Sequence, residues 1–155
     1  MSFTVLGTGS KLPDTVVTND DLATFLDTSD EWITTRTGIH RRHVLKQEKL
    51  IDLATVAAKN ALKNSGVTAD ELDLILCSTI QGDYVSPAFA CVVQKELGAT
   101  CPAFDVNAGC SGFIYALDVA DGYFARGRAK KVLIIAAEAM TRFTNWQDRS
   151  TCVLF

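Results

Sequence analysis

The sequence has no run of apolar residues approaching the roughly 20 needed to cross a bilayer, so no membrane association is expected. Residues 1–9 lack the length and basic flank of a secretory signal. Basic charge is not in excess: 15 Lys and Arg stand against 18 Asp and Glu, a net charge of −3. A nucleic-acid surface needs clustered cations to neutralise phosphates, so that class of partner is excluded. The 5 cysteines are odd in number and include no paired C-x-x-C spacing. That usage points to reduced thiols in a cytoplasmic protein rather than a disulfide framework. Internal repeats, low-complexity tracts and linkers are also missing. What remains is a chain of 155 residues, 48% hydrophobic and 21% charged, the size and composition of one globular α/β domain.

Strand-like and helix-like segments alternate along it. Residues 3–6 read as a first strand ending in Gly7-Thr8-Gly9. Thr18 or Asn19 is suited to cap a short helix over residues 20–26, and Thr28 or Ser29 a second, with Asp30 and Glu31 at its positive end. From Leu50 to Ser65 the apolar residues Leu53, Val56, Ala57, Ala61 and Leu62 fall on one helical side, and Gly66 is a natural stop. A strand over residues 72–78 follows, then a helix with Pro87 in its first turn that runs to Gly98. After a short strand over residues 103–106, the helix following Gly109 has little polar face, which predicts burial. Residues 132–137 and 151–155 read as two more strands. Repeated strand-helix-strand units predict a mostly parallel sheet with helices on both faces.

Few of these segments carry a chemical motif. Gly7-Thr8-Gly9 lacks the third glycine and helix start of a dinucleotide fingerprint, and no Lys-Ser or Lys-Thr pair makes a phosphate loop. His40 and His43 have no second cluster to complete a metal site, so the basic stretch they flank reads as solvated or salt-bridged. Cys77, Cys91, Cys101 and Cys152 lie in apolar strand or helix contexts, where a thiol acts as a small hydrophobe.

Cys110 differs. It sits where a strand turns into the apolar helix, among Ala108, Gly109, Ser111 and Gly112, which leave backbone and sulfur open to close approach. A helix N-terminus favours thiolate over thiol, and its N–H groups suit the oxyanion formed when a thiolate attacks a thioester. A tightly packed helix start that happens to carry a cysteine fits the same spacing. Trp32 and Arg36, four residues apart, share a helix face, and an indole beside a guanidinium suits an adenine ring and a phosphate. On the residues alone the better reading is a partly exposed Trp covering the core, with Arg36 paired to an acid such as Asp30 or Glu31.

DTSDEWITTRTGIHRRH at residues 27–43 and CPAFDVNAGCSGF at residues 101–113 together resemble β-ketoacyl-acyl carrier protein synthase III, as do Gly7-Thr8-Gly9-Ser10, the loop at residues 83–87 and Asp148-Arg149-Ser150-Thr151. The resemblance covers the whole chain. It implies the thiolase fold, which has two similar βαβαβαββ halves, and it makes residues 1–155 the N-terminal half with its central helix starting at the nucleophile. The family starts fatty-acid biosynthesis: a cysteine takes an acyl group from acyl-coenzyme A, and malonyl-acyl carrier protein loses carbon dioxide and attacks the acyl-cysteine.

On that resemblance Cys110 is the nucleophile and Trp32 stacks on the adenine of coenzyme A, with Arg149 on the opposite side. Thr28 and Arg36 lie near the nucleotide and its phosphates. The catalytic His and Asn fall in the second half, past Phe155, so this chain alone is expected to lack condensation activity. Acyl-coenzyme A enters as a substrate, and no cofactor or metal is implied. A homodimer is implied, with residues 84–89 reaching the neighbouring subunit. The competing reading is a catalytically silent thiolase-fold half that dimerises or binds acyl carriers.

Overall fold

The computed structural model describes residues 3–155, which divide into two compact units. Residues up to Lys11 together with Lys49–Glu138 form the first, and Leu12–Glu48 with Ala139–Phe155 form the second. In chain order the elements are β1 (Thr15–Thr18), α1 (Asn19–Ala23), α2 (Asp30–Thr37), β2 (Arg41–Val44), α3 (Leu50–Ser65), β3 (Leu74–Ser78), α4 (Phe89–Leu97), β4 (Ala103–Val106), α5 (Gly112–Ala125), β5 (Val132–Ala136) and α6 (Arg149–Cys152). Three short 3-10 turns lie between them. Among the described residues no helix is long and apolar enough to cross a membrane.

The first unit is built on a parallel sheet in the order β4-β3-β5. Every residue of β3 is buried, which its unbroken apolar run requires of a central parallel strand. Leu74 and Leu76 face α5, where they pack with Ala116 and Ala120 and against Phe104, Val106, Val132 and Ile134. Strand alternation turns Ile75, Cys77, Leu133 and Ile135 to the other face, on which α3 meets β5 and α4 meets β3 and β4. The predicted parallel sheet between two helix layers is therefore present.

Close approach of α5 to the sheet depends on Gly112. A Cβ there would lie 2.2 Å from Ser78 Oγ and 3.3 Å from Ser78 Cβ, so any side chain would have to displace that hydroxyl for the first turn to settle on β3. Gly66 and Gly98 end α3 and α4 in left-handed geometry, with φ of 71° and 72°. Carboxylates fix the loop-to-helix joins. Asp105 accepts from the amides of Phe89 (2.8 Å) and Ala90 (2.7 Å) at the start of α4. Asp83 does the same for Leu50 (3.2 Å) and Ile51 (2.7 Å) at the start of α3.

The second unit pairs β1 with β2 in antiparallel register, Thr15 opposite Val44 and Thr18 opposite Arg41. Its core is Leu22, Ile33, Cys152 and Val153, against which Trp32 and Trp146 pack. Thr18 caps α1 through a reciprocal box with Asp21, and Ser29 caps α2 through the Trp32 amide. Asn19 and Arg42 form a polar knot inside this unit. Arg42 donates to Asn19 Oδ1 (2.9 Å) and the Val153 carbonyl (3.1 Å), while Asn19 Nδ2 donates to Ile39 O (2.7 Å) and Asp30 Oδ1 (2.8 Å).

The structure corrects several expectations. Residues 3–6 form no strand ladder: Phe3 meets the Phe124 ring of α5, and Gly7 and Gly9, just beyond, press on the α3 backbone. Residues 151–155 are not a strand: Asp148 accepts from the Ser150 amide and starts α6, and turn follows. Pro87 precedes α4, which begins at Phe89, and its peptide bond to Ser86 is cis. The helix at α5 is only half buried, since Phe113, Ile114 and Tyr115 are exposed. The basic stretch is neither solvated nor salt-bridged at Arg42, which is 6% exposed. Burial holds that guanidinium below its usual pKa.

Two outcomes follow from this packing. Gly112→Ala is expected to lower stability by about 1–3 kcal/mol in urea denaturation, and by less than about 1 kcal/mol in a Ser78→Ala background. Equal losses in both backgrounds would remove the Ser78 contact as the cause. Separately, two carboxylates near β5 are held below their ordinary pKa. The Lys131 ammonium, then Thr68, bring Glu71 down to about 2, and the amides of Lys130 and Lys131 lower Asp73. Depressed carboxylates stabilise the fold above their unfolded pKa, and that contribution is lost as pH falls through the folded value. The urea midpoint should therefore fall between about pH 4.5 and pH 2, less steeply in Asp73→Asn; an unchanged slope in that variant would exclude Asp73.

Candidate active site

The three parallel strands end together, and the segments leaving them are tied at Ile80. Glu138, just past β5, accepts from the Ile80 amide (2.8 Å), and Asn107, just past β4, donates to the Ile80 carbonyl (3.1 Å). Burial pushes the Glu138 carboxyl up, partly opposed by the Ile80 amide. Open α/β sheets place their ligands beyond the carboxyl ends of the strands. Cys110 lies at that end, in a 3-10 turn (Gly109–Ser111) that leads straight into α5.

Gly109 takes a left-handed φ of 53°, which lets the chain leave β4 and turn into the helix within a few residues. The amide of Ser111 donates to Ala108 O (3.2 Å) and that of Gly112 to Gly109 O. Among the described residues the Cys110 amide makes no such bond, so it is the donor left beside the sulfur. Of the first-turn amides expected to serve an oxyanion, two are therefore committed within the turn.

The other thiols are set apart by burial. Cys77 and Cys152 are fully buried, Cys101 nearly so, and burial pushes all three thiols up. Cys91 is half-buried, its sulfur donating to Ala103 O (3.5 Å). Cys110 is the exposed thiol. Among the described residues no group of three or more His, Cys, Asp or Glu gathers that could hold a metal ion.

The remaining site candidates lie in the second unit. Trp32 and Arg36 share a face of α2, with the Arg36 guanidinium carbon 4.3 Å from the indole centroid and Nη1 donating to Trp32 O (3.2 Å). Arg36 thus pairs with the indole and the helix backbone, not with Asp30 or Glu31. Arg149, the first residue of α6, reaches the same ring at 4.5 Å and donates to Asp27 O (2.7 Å). The structure therefore brings Trp32, Arg36 and Arg149 together, two cations on one indole. The Thr28 hydroxyl oxygen is buried and without a hydrogen-bond partner. An orphaned hydroxyl of this kind costs stability unless something else bonds it.

Sequence reasoning missed Glu138 and Asn107, which hold Ile80 at the strand ends, and Ser78, which meets the first turn of α5 at Gly112. Glu138 had one signal, an acidic residue placed directly after the most apolar strand. Asn107 and Ser78 had none beyond adjacency.

Residues 104–155 match the family model of 3-oxoacyl-[acyl-carrier-protein] synthase III. The chain is 56% identical to β-ketoacyl-[acyl-carrier-protein] synthase III of Caulobacter vibrioides, over 100% of this chain and 49% of that protein. Against the enzyme of the same name from Aquifex aeolicus the identity is 51%, over 100% of this chain and 50% of the relative. The crystal structure of the Aquifex aeolicus 3-oxoacyl-[acyl-carrier-protein] synthase III superposes with a TM-score of 0.94 at 52% identity, covering 97% of this chain and 49% of that one. The Thermus thermophilus β-ketoacyl-[acyl-carrier-protein] synthase III gives 0.93 at 40% identity, over 99% and 48%. The chain spans about half the length of the relatives it matches. By sequence and by fold it is the counterpart of about half of a β-ketoacyl-[acyl-carrier-protein] synthase III, with the thiolase-like α/β architecture of that family.

Proposed function

We propose that this chain is the nucleophile-bearing half of a condensing acyltransferase that starts fatty-acid biosynthesis. The observation that carries the reading is Cys110: an exposed thiol among 5 cysteines, at the carboxyl ends of parallel strands, in the turn that opens α5. Its thiolate attacks the carbonyl of acyl-coenzyme A, the C–S bond to coenzyme A breaks, and the acyl group remains on the sulfur. Coenzyme A leaves as the thiolate and takes up a proton. The Cys110 amide, unbonded within that turn, supplies one donor to the oxyanion. Condensation with malonyl-acyl carrier protein belongs to the whole protein and draws on the other half.

Trp32, Arg36, Arg149 and Thr28 are assigned to coenzyme A. The two guanidinium groups suit its phosphates, and the indole suits the adenine. Adenine cannot enter while Arg149 lies 4.5 Å from the ring centroid. Two stacked layers need about 7 Å, so binding moves Arg149 outward to cover the far face of the base, and the Thr28 hydroxyl gains a partner. A homodimer and a cytoplasmic setting belong to the same reading. Tyr84, Val85, Phe113, Ile114 and Tyr115 are all exposed, and they supply the apolar surface a second subunit would cover.

Incubation with labelled acetyl-coenzyme A should add one acetyl group, mapped by mass spectrometry to Cys110 and absent from Cys110→Ala. A folded sample with no adduct would favour instead a silent half that only dimerises or binds acyl carriers. Trp32→Ala should weaken coenzyme A binding by about 1–3 kcal/mol, measured by calorimetry. Unchanged affinity would withdraw the stacking role.

A further inference from the structure

Residues 107–111 carry Cys110 between β4 and α5, and none of them is buried. Ala108, Gly109 and Ser111 are small, and the Cys110 thiol is exposed. A loop of this kind takes its orientation from its two ends, and both close on the segment that leaves β3. Val106, just before it, pairs with Ser78 in the parallel ladder. Gly112, just after it, presses on Ser78 as well. Asn107 Nδ2 donates to Ile80 O (3.1 Å). Among the described residues that is the hydrogen bond by which the loop holds the strand exits.

The anchor for these contacts is firm. Ser78 and Thr79 are 4% and 5% exposed, and Ser78 O accepts from Ala137 N (3.1 Å), which prolongs the pairing of β3 with β5. Ile80 is tied from its other side, where its amide donates to Glu138 Oε1 (2.8 Å). Glu138 follows β5, Asn107 follows β4, and β3 lies between them in the sheet. The bonds from Glu138 through Ile80 to Asn107 therefore cross the exits of all three strands and end three residues before the sulfur.

This tie has a chemical consequence. Ala108 (φ −144°, ψ 28°) and Gly109 (φ 53°) set the direction of the Cys110 peptide. Once the Asn107 bond is lost, no buried side chain opposes rotation there, and glycine takes either sign of φ at little cost. Rotation redirects the Cys110 N–H, the donor left unbonded in the turn. The sulfur stays exposed whichever way that peptide points. A reaction that builds negative charge on an oxygen beside the amide feels the tie, and one that needs only an accessible thiolate does not.

We propose that Asn107 is a positioning residue for acyl transfer: its carboxamide, held by Ile80 with Glu138 behind it, keeps the Cys110 amide aimed at the acyl oxygen. This rests on the function proposed above for Cys110. Asn107 acts through the Cys110 amide, and Glu138 acts through Ile80.

The test compares two reactions of one sulfur in the 155-residue chain. Acetyl transfer from acetyl-coenzyme A passes through an oxyanion, whereas alkylation by iodoacetamide displaces iodide directly and forms none. Both are followed at Cys110 by peptide mass spectrometry, on samples whose fold is checked by circular dichroism. Asn107→Ala should slow acetyl transfer at saturating acetyl-coenzyme A about five- to tenfold. The half-saturating concentration and the alkylation rate should each stay within about twofold of wild type. Glu138→Ala should slow transfer in the same way, and Glu138→Gln, which keeps an oxygen for the Ile80 amide, should restore it to within about twofold. Because both ties act through Ile80, the double variant Asn107→Ala/Glu138→Ala should be no more than about twofold slower than the slower single one.

Transfer at the wild-type rate in Asn107→Ala, or equal slowing of transfer and alkylation, would overturn the proposal. Losses that multiply in the double variant would do the same. Glu138→Gln as slow as Glu138→Ala would assign the effect to the carboxylate charge and overturn it too. A wild-type chain that is alkylated at Cys110 but accepts no acetyl group is a separate outcome, which withdraws the function proposed for Cys110 and this role with it.

Discussion

The position of Cys110 rests on a steric constraint, the contact between Gly112 and Ser78. A helix whose first turn carried a side chain at that point would be held off β3 by the Ser78 hydroxyl, which lies 2.2 Å from where a Cβ would stand. With glycine there, α5 lies flat on the sheet through Ala116 and Ala120, both small and both buried. The turn that precedes Gly112 must then project past the strand ends. This is why Cys110 is exposed although the helix it introduces is strongly apolar. Phe113, Ile114 and Tyr115 follow from the same geometry: with the small face buried, the large side chains at the start of α5 remain exposed.

Backbone amides at loop-to-helix joins are neutralised by carboxylates, each taking two consecutive N–H groups. Asp105 does this for α4, Asp83 for α3, and Asp73 for the entry to β5. An ionised oxygen pair meeting two orphan donors is a strong and directional arrangement, stronger than a neutral cap. It fixes where each element starts and so fixes the strand ends beyond which Cys110 lies. Glu138 and Asn107 extend the same logic by holding Ile80 from both neighbouring strands. The second unit uses Arg42 and Asn19 in a comparable way, with a buried guanidinium satisfied at two of its nitrogens while its Nε has no partner.

Local signals made much of this legible in the sequence. The extent of α3, the glycines after α3 and α4, and the caps at Thr18 and Ser29 act within a few residues, so sequence adjacency reveals them; the apolar face expected of α3 holds less well, since Val56 is exposed and the buried residues are Leu50, Ile51, Leu53, Ala54, Thr55 and Ala58. Cys110 stood out for the same reason, since its small neighbours and its strand-to-helix position are contiguous. Features that depend on distant partners were hidden. Residues 3–6 have strand composition, but a ladder needs a neighbouring edge within about 5 Å, and no strand pairs with them here. Arg42 reads as a surface cation until Asn19 and the Val153 carbonyl, 23 and 111 residues away, are brought to it. At residues 151–155 the apolar composition suggested a strand, and the Asp148 side chain decided for a helical turn.

On the proposed reading, both candidate subsites recognise more than they can transform. An oxyanion at the Cys110 acyl carbon calls for two donors, and loss of one typically costs about 10²–10³ in rate. The Ser111 and Gly112 amides are bonded within the turn, which leaves the Cys110 amide, so the second donor has to come from outside this turn. The indole of Trp32 meets a parallel shortage: its ring is covered by its own arginines, and a base is admitted only when Arg149 gives up the Asp27 carbonyl. Binding energy from the phosphates is available to drive that exchange, since both guanidinium groups gain a charged partner in place of a π face. Nucleotide recognition and sulfur chemistry are thus each assembled from residues of this chain, while the groups that would complete the turnover are external to it.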